Sequence, residues 1–512
     1  MNFKEKINKI NEAFVSGKVY LFLKNIYFVL LSAFRETFIY KIFFKPLDDV
    51  AYEKSLINRF FTFLKEIYIK IGELINKILK REEKESSPFL EKTASTSFIL
   101  KALKMDEFKE SFVFLIFMST LLFTGVLPTM AVVGLCLVTA CFTFFDHSFK
   151  ERVKNGKSLV TDCFIFFYLI ALFYSRWISN DVQKNKIFLV YFVFVGFYYV
   201  IRFLISTEKR LYISLHAFAC SSAFVCLTGV FQLLTGSYKS TTWTDTQVFE
   251  EIEGRLVATF ENPNVFGEYL ILIIPIILAM IFISKSKLWK TLYTLLLLVS
   301  GVCMLMTYSR GCWLGIIFAF ALFILMIFPK LIYPALILAP FSVFVIPETI
   351  IERITSIGNM SDGSTVFRVY IWRATIDMLK KYWLCGIGLG TDCYENYYSQ
   401  YAYDAVLAPH SHNTFLHVMC ESGIFGLLIF IGLLFFLLRQ LFVCYKKTKN
   451  KNLKIISAAF IAAFLGSLIQ GMFDNLFYNY RLYMIFFALV AVSCSIYEIY
   501  KGEERENARN KN

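Results

Sequence analysis

Histidine is scarce in this chain, five residues in 512, and two of the five stand one residue apart in Pro409-His410-Ser411-His412-Asn413. An imidazole is the side chain best suited to take a proton from a hydroxyl near neutral pH. At the start of a helix, where the backbone is partly positive, its neutral form is favoured and it remains available as a base. His417 lies further along, one turn before Glu421, so those two can pair. Glu421 itself is too far down the helix to orient His412. A His-x-His pair can also hold a metal, but no acidic or sulfur ligand stands at a motif-like spacing, so the reading is a site with no metal and no cofactor. His147 and His216 read as structural.

Two further polar clusters interrupt apolar surroundings: Arg255 with Glu261-Asn262-Pro263-Asn264, and Ser309-Arg310-Gly311. Each, like Asn413, immediately precedes an apolar run of helical length. Helix N-termini present unpaired N–H groups and a partial positive charge, a natural seat for phosphate. Arg310 adds a permanent cation whose fork matches phosphate oxygens. With Arg353, Arg368 and Arg373 in the segment before His410, the set suits a lipid-linked diphosphate. Each residue alone has a plainer role, Arg310 snorkelling to the membrane surface, Asn264 and Asn413 capping helices. The functional reading rests on three such ends falling on one face.

The elements that hold these residues follow from composition. Hydrophobic residues make up 57% of the chain, charged residues 18%, and Phe alone accounts for 57 positions. No soluble core hides so much apolar surface, so the chain is an all-α polytopic membrane protein, and soluble-enzyme, disordered and fibrous classes are excluded. Apolar runs of bilayer length predict twelve transmembrane helices at 111–126, 128–145, 159–176, 187–205, 211–235, 265–284, 288–307, 311–328, 330–346, 413–439, 455–473 and 481–500. The net charge of +14 would suggest nucleic acid in a soluble protein. Here the cations lie between spans: four Lys/Arg in 147–158, three in 284–290 and six in 439–454, all on one side. The positive-inside rule then puts both termini, with the charged tail 501–512, in the cytoplasm, and no nucleic-acid partner is implied.

On that topology the three polar clusters face outward, each opening a helix that runs inward. Two outer connections are long: 236–264 is acidic, and the external loop 347–412 joins spans nine and ten. Connections of that length carry structure or function of their own. Within the second, 366–381 reads as a helix with Arg368, Trp372 and Thr375 on one face, broken by Gly386-Ile-Gly-Leu-Gly390. Residues 1–110 hold 20 Lys/Arg and 15 Asp/Glu and form a basic cytoplasmic region before the transmembrane domain at 111–500. In it, Ile57, Phe60, Leu64, Ile67, Ile71, Leu74 and Ile78 make an amphipathic seam, expected to lie on an anionic membrane surface, with a short coiled coil as the rival. The stretch 19–44 reads as interfacial too. Most of the twelve Cys sit inside apolar runs as small hydrophobes, and only Cys385 and Cys393 share a water-exposed loop.

These residues carry a family resemblance. His412-Asn413, nine residues, then Gly423-Ile-Phe-Gly426 resembles the H-N-x9-G-x-x-G signature of the O-antigen ligase/polymerase superfamily. Arg310-Gly-Cys-Trp-Leu314 is similar to the ligases' R-x3-L motif, and Phe260–Asn264, Arg368–Trp372 and Gly386/Gly388 look like further elements of that family. The resemblance covers roughly 255–480 and does not reach residues 1–110. It implies a glycosyltransferase of the membrane C type in the bacterial cytoplasmic membrane. Such proteins transfer a glycan from an undecaprenyl-diphosphate carrier, outside that membrane, to a hydroxyl of an acceptor glycan, lipid or polymer, without nucleotide sugar or required metal. Carried over by position, His412 is the base, Arg310, Arg255, Arg368 and Arg353 bind the donor diphosphate, and Asn262, Asn264, Trp372, His410, Asn413, Glu421, Gly423 and Gly426 support them. The rival classes are a transporter or flippase of lipid-linked glycans and a non-catalytic assembly scaffold. A transporter is disfavoured because no internal repeat is visible and the polar residues cluster at one face instead of the midplane.

Overall fold

The computed structural model describes residues 54–85, 106–180, 183–238, 254–331 and 363–509. Among these residues there are fifteen helices and no strand. They are α1 (Leu56–Glu85), α2 (Asp106–Phe123), α3 (Thr129–Thr143), α4 (His147–Asn155), α5 (Val160–Ile178), α6 (Lys184–Leu204), α7 (Glu208–Thr235) and α8 (Pro263–Ile283). There follow α9 (Lys287–Met306), α10 (Arg310–Ile327), α11 (Gly363–Tyr382), α12 (Thr391–Tyr398), α13 (Thr414–Lys447), α14 (Lys451–Gly471) and α15 (Tyr480–Arg509). Nine of them, α5 to α10 and α13 to α15, are long and apolar enough to cross a membrane. Helices satisfy most of their backbone groups internally, as a span without water requires, and this is the architecture of a polytopic membrane protein.

The expected count of twelve spans is not reached among the described residues. The span expected at 330–346 lies outside them apart from its first two residues, as do Arg353 and the stretch 19–44. The apolar part of α2, Glu110–Phe123, is shorter than a full span. The segment 128–145 ends early: α3 stops at Thr143 and the chain turns by 84° into α4. Residues 147–158, read as a loop, are therefore largely helical. Asp146 starts α4 by accepting from the Phe149 N–H at 3.0 Å, and Arg152 bonds the other Asp146 oxygen at 3.2 Å.

Close helix packing comes from small residues at the α10–α14 crossing. A Cβ on Gly315 would sit 2.7 Å from the Gly466 carbonyl oxygen, and one on Gly466 the same distance from the Gly315 carbonyl. Gly311, one turn before Gly315, receives the Gln470 side chain in the same way. This small-xxx-small surface brings the start of α10 against the end of α14 without a hydrophobic driving force.

The segment before α13 docks onto a break in that helix. Gly423 has φ +68°, outside the helical region, and a side chain there would collide with the Leu384 carbonyl. Gly386, at φ +75°, sits equally close to the Cys420 carbonyl. The freed backbone groups are re-used across the contact, Ile387 N–H to Cys420 O at 2.6 Å and Ile424 N–H to Trp383 O at 2.8 Å. Only glycine fits at either position, since both the left-handed φ and the backbone approach exclude a Cβ.

The bundle has two chemically distinct ends. At one, Asn450 joins Glu208 (3.2 Å) to Glu503 (3.0 Å), and buried Arg202 pairs with Asp162 and Glu498. The basic connections gather there. At the other end the starts of α8, α10 and α13 surround the last turn of α14.

Candidate active site

The three helix starts share one local geometry. Glu261, Tyr308 and His412 have left-handed φ of 61°, 48° and 45°, and each stands directly before the N-cap, Asn262, Ser309 or Asn413. Non-glycine residues in this region are strained and persist where neighbours hold them. At His412 the holders are visible: its N–H donates to His410 Nδ1 at 3.2 Å and its carbonyl accepts from Trp372 Nε1 at 3.1 Å. Asn262 and Asn413 do cap their helices, Asn262 Oδ1 accepting from Asn264 N–H (2.8 Å) and Asn413 Oδ1 from Leu416 N–H (3.0 Å). Ser309 makes no such side-chain cap bond at α10.

A hydrogen-bonded chain runs across the site. His412 Nδ1 lies 3.0 Å from Asp474 Oδ1. The other Asp474 oxygen accepts from Asn264 Nδ2 at 2.8 Å, and Asn264 Oδ1 accepts from Arg255 Nη2 at 2.7 Å. Arg255 Nε donates to the Thr307 carbonyl at 2.8 Å, three residues before Arg310. The plainer reading of Asn264 as a cap is therefore wrong, since it bridges Arg255 to Asp474. Arg255, expected from the sequence to meet the donor diphosphate, thus donates to both Asn264 and the Thr307 carbonyl. The remaining bonds fix Asp474: Asn475 N–H donates to Oδ1 at 2.9 Å, and Thr414 Oγ1 donates to the Asp474 carbonyl at 3.1 Å.

Asp474 was not among the residues read from the sequence. It lies 62 positions from His412, in the short turn between α14 and α15. The available signal was an acidic side chain just past an apolar run. Burial acts to raise its pKa, but the charge and hydrogen bond of His412, with His410 and Arg368, overcome this and hold the carboxyl below the usual carboxylate range. Burial, then the adjacent His412, pushes the His410 imidazole well below its ordinary value, so His410 is neutral at neutral pH. Its side chain is 5% exposed, against 18% for His412, and the two rings lie 4.1 Å apart. Of the two, His412 is the one a substrate can reach.

Arg368, Trp372 and Thr375 do share a face of α11. Thr375 is buried against the Tyr394 hydroxyl at 2.6 Å, Trp372 holds His412, and Arg368 lies near enough to Asp474 and His410 to shift both. The Arg368 Nε is buried without a hydrogen-bond partner among the described residues. Arg373 leaves this face and lies over the Tyr403 ring at 5.7 Å. Arg310 occupies the first position of α10, beside Gly311 and its Gln470 contact. Glu421 approaches His417 only to 3.7 Å and instead accepts from Tyr191 OH (3.2 Å) and Gly390 N–H (3.4 Å), tying α6 and the glycine-rich turn to α13. Gly423 breaks α13, and Gly426 packs on Ser422. Cys385 and Cys393 are not joined by a disulfide, and Cys393 meets Ser179 at 3.1 Å.

In space, Asp474 supplies the acid that the linear spacing lacked: His410, His412 and Asp474 offer ligand atoms within 4.8 Å of one another.

The family model described as O-antigen ligase matches residues 294–431. That segment belongs to the O-antigen ligase family. It runs from within α9 into α13, and so holds Arg310, Arg368, His410 and His412 but not Arg255, Asn264 or Asp474. The activity class of the O-antigen ligase segment is ligase- or polymerase-type glycan transfer in polysaccharide assembly, here in a multi-pass membrane setting. No curated protein matches the chain.

Proposed function

We propose that this site transfers a glycan from an undecaprenyl-diphosphate carrier to an acceptor hydroxyl at the outer face of the bacterial cytoplasmic membrane, with no metal and no nucleotide sugar. The observation that carries the reading is the His412–Asp474 contact at 3.0 Å, with the unpartnered Nε of Arg368 beside it. Asp474, as acceptor, fixes the proton of His412 on Nδ1 and leaves the Nε2 lone pair free to act as base. The acceptor oxygen attacks the anomeric carbon while its proton passes to His412 Nε2. The bond from that carbon to the diphosphate oxygen breaks, and the lipid diphosphate leaves with the electron pair. Asp474 then stabilises the imidazolium. A single displacement inverts the anomeric centre. Arg310, Arg368 and Arg353 neutralise the departing diphosphate, and Arg255 acts through Asn264 on Asp474.

Arg310→Lys should lose most transfer activity although the charge is kept, because the two-pronged fork is lost. Arg368→Ala should weaken binding of labelled undecaprenyl-diphosphate glycan more than it weakens acceptor saturation. Full turnover and donor affinity in Arg310→Lys would assign Arg310 a structural place at the helix start instead.

The orientation is tested separately. In an otherwise Cys-free variant, a cysteine at Asp404 should react with an impermeant thiol reagent in intact cells. One at Lys449 should react only after permeabilisation. The reverse pattern would put the site in the cytoplasm and end this reading. A stoichiometric metal in the purified protein, with activity lost to a chelator, would favour the His410–His412–Asp474 cluster as a metal centre.

A further inference from the structure

The basic end of the bundle holds a cavity of about 880 Å³ between α1, the 154–159 connection and the end of α15. Six cations line it, Lys65, Lys70, Lys154, Lys157, Lys501 and Arg505, against three carboxylates, Glu66, Glu73 and Glu504. Lys501 is paired with Glu504 at 3.3 Å. Lys65, Lys70, Lys154 and Arg505 form no ion pair with a carboxylate among the described residues. Lys65 is half-buried, with its ammonium on the Gly156 carbonyl at 2.6 Å and 5.8 Å from the Phe203 ring centre. Burial, and then the charge of Arg202, hold the Lys65 pKa below its ordinary value although Asp162 and Glu498 act against them, so this half-buried cation is short of counter-charge that an anionic ligand would supply.

The other face of α1 carries a second signal. The polar side, with Lys65 and Tyr68, turns toward the bundle, where the Tyr68 hydroxyl meets Thr143 Oγ1 at 2.9 Å. The apolar seam turns away, leaving Ile57, Phe60, Ile67, Ile71 and Leu74 exposed. The cavity beside α1 thus holds an excess of positive charge, supplied mainly by Lys154, Lys157 and the end of α15, while the far face of the same helix leaves hydrocarbon uncovered. A free phosphate compound satisfies only the first, whereas an amphiphile satisfies both.

We infer that this cavity is a binding site for the phosphate headgroup of an anionic phospholipid, with α1 laid on the membrane surface so that its seam enters the acyl region. The site is separate from the His412–Asp474 chemistry, so its test does not depend on the glycan-transfer reading. Purified full-length protein in neutral-detergent micelles is titrated with phosphatidylglycerol, phosphatidylcholine or soluble glycerol 3-phosphate, and apparent dissociation constants are read from the shift in melting temperature. Phosphatidylglycerol should bind, and the other two should not at matching concentrations. A basic group near anionic lipid contributes about fivefold in affinity, so Lys65→Gln with Lys154→Gln should weaken phosphatidylglycerol binding about 25-fold. Lys65→Arg with Lys154→Arg should retain it. The exposed pair Lys70→Gln with Arg505→Gln gives the same test without touching packed residues. Equal binding of both phospholipids, unchanged affinity in both Gln pairs, or saturation by glycerol 3-phosphate that blocks the lipid would each overturn the inference.

Discussion

His412→Ala is expected to lower turnover by about 10²–10⁴-fold, the usual worth of a positioned general base. Folding and donor binding should survive, because the ring is partly exposed and its backbone is held by Trp372 and His410 through main-chain bonds. The measurement is steady-state transfer by purified variants, with donor binding followed in parallel. His410→Ala should do much less to the chemical step. The His410 ring is buried behind His412 and accepts the His412 N–H, so its loss loosens the left-handed turn without removing the base. A His412→Ala protein with near-normal turnover would remove the residue from the mechanism.

Asp474→Asn is the second large effect. An amide can offer its N–H to His412 Nδ1 and so favour the wrong tautomer, and it cannot stabilise the imidazolium. A loss on the order of 10³-fold or more in turnover is expected, as where other carboxylates orient a catalytic imidazole. Stability adds an independent readout. The native carboxyl is held below the usual range, so the stabilisation it gives is complete above the unfolded-state value of about 4 and is lost as the pH falls from there. Asp474→Asn should remove this acid-side dependence from the melting temperature. An unchanged acid limb together with wild-type turnover would show that the contact has no functional weight.

What the sequence reveals and what it hides divide along physical lines. The spans of α5 to α10 are legible because about twenty consecutive apolar residues have no alternative in water or lipid. The helix 366–381 and its Arg368/Trp372/Thr375 face follow from period alone and are found as α11. The bend after α3 is hidden because Phe144-Phe145 continues the apolar run, and only the capping carboxylate of Asp146 marks the new helix. The short α12, Thr391–Tyr398, was missed because eight mixed polar and aromatic residues give no clear period. Periodicity locates the α1 seam but cannot say whether protein or lipid meets it. The seam stays exposed while Lys65 and Tyr68 face the bundle.

The candidate site divides similarly. His412, Arg310 and Asn264 stand out as polar residues opening apolar helices. Their roles differ with what lies across the gap. Asn262 and Asn413 cap, whereas Asn264 reaches a carboxylate on a distant turn. No local pattern ties Asp474 to His412, because their contact is made only when the start of α13 meets the end of α14, where Thr414 Oγ1 donates to the Asp474 carbonyl and Asn413 Nδ2 to that of Met472. The glycines of the family signature find their reason in the same way: Gly423 and Gly386 let the segment bearing Arg368 and Trp372 rest on the broken helix below His412.

Metal-independent glycan transfer from a lipid diphosphate is tested most directly by reconstitution. Purified protein is given undecaprenyl-diphosphate glycan and candidate acceptors in the presence of a chelator, and lipid diphosphate and glycosylated acceptor are measured together. Release of lipid diphosphate is expected in one-to-one step with product of inverted anomeric configuration, in wild type and not in His412→Ala. Movement of intact lipid-linked glycan across a vesicle membrane with no bond cleaved, or release that stops on chelation, would contradict it.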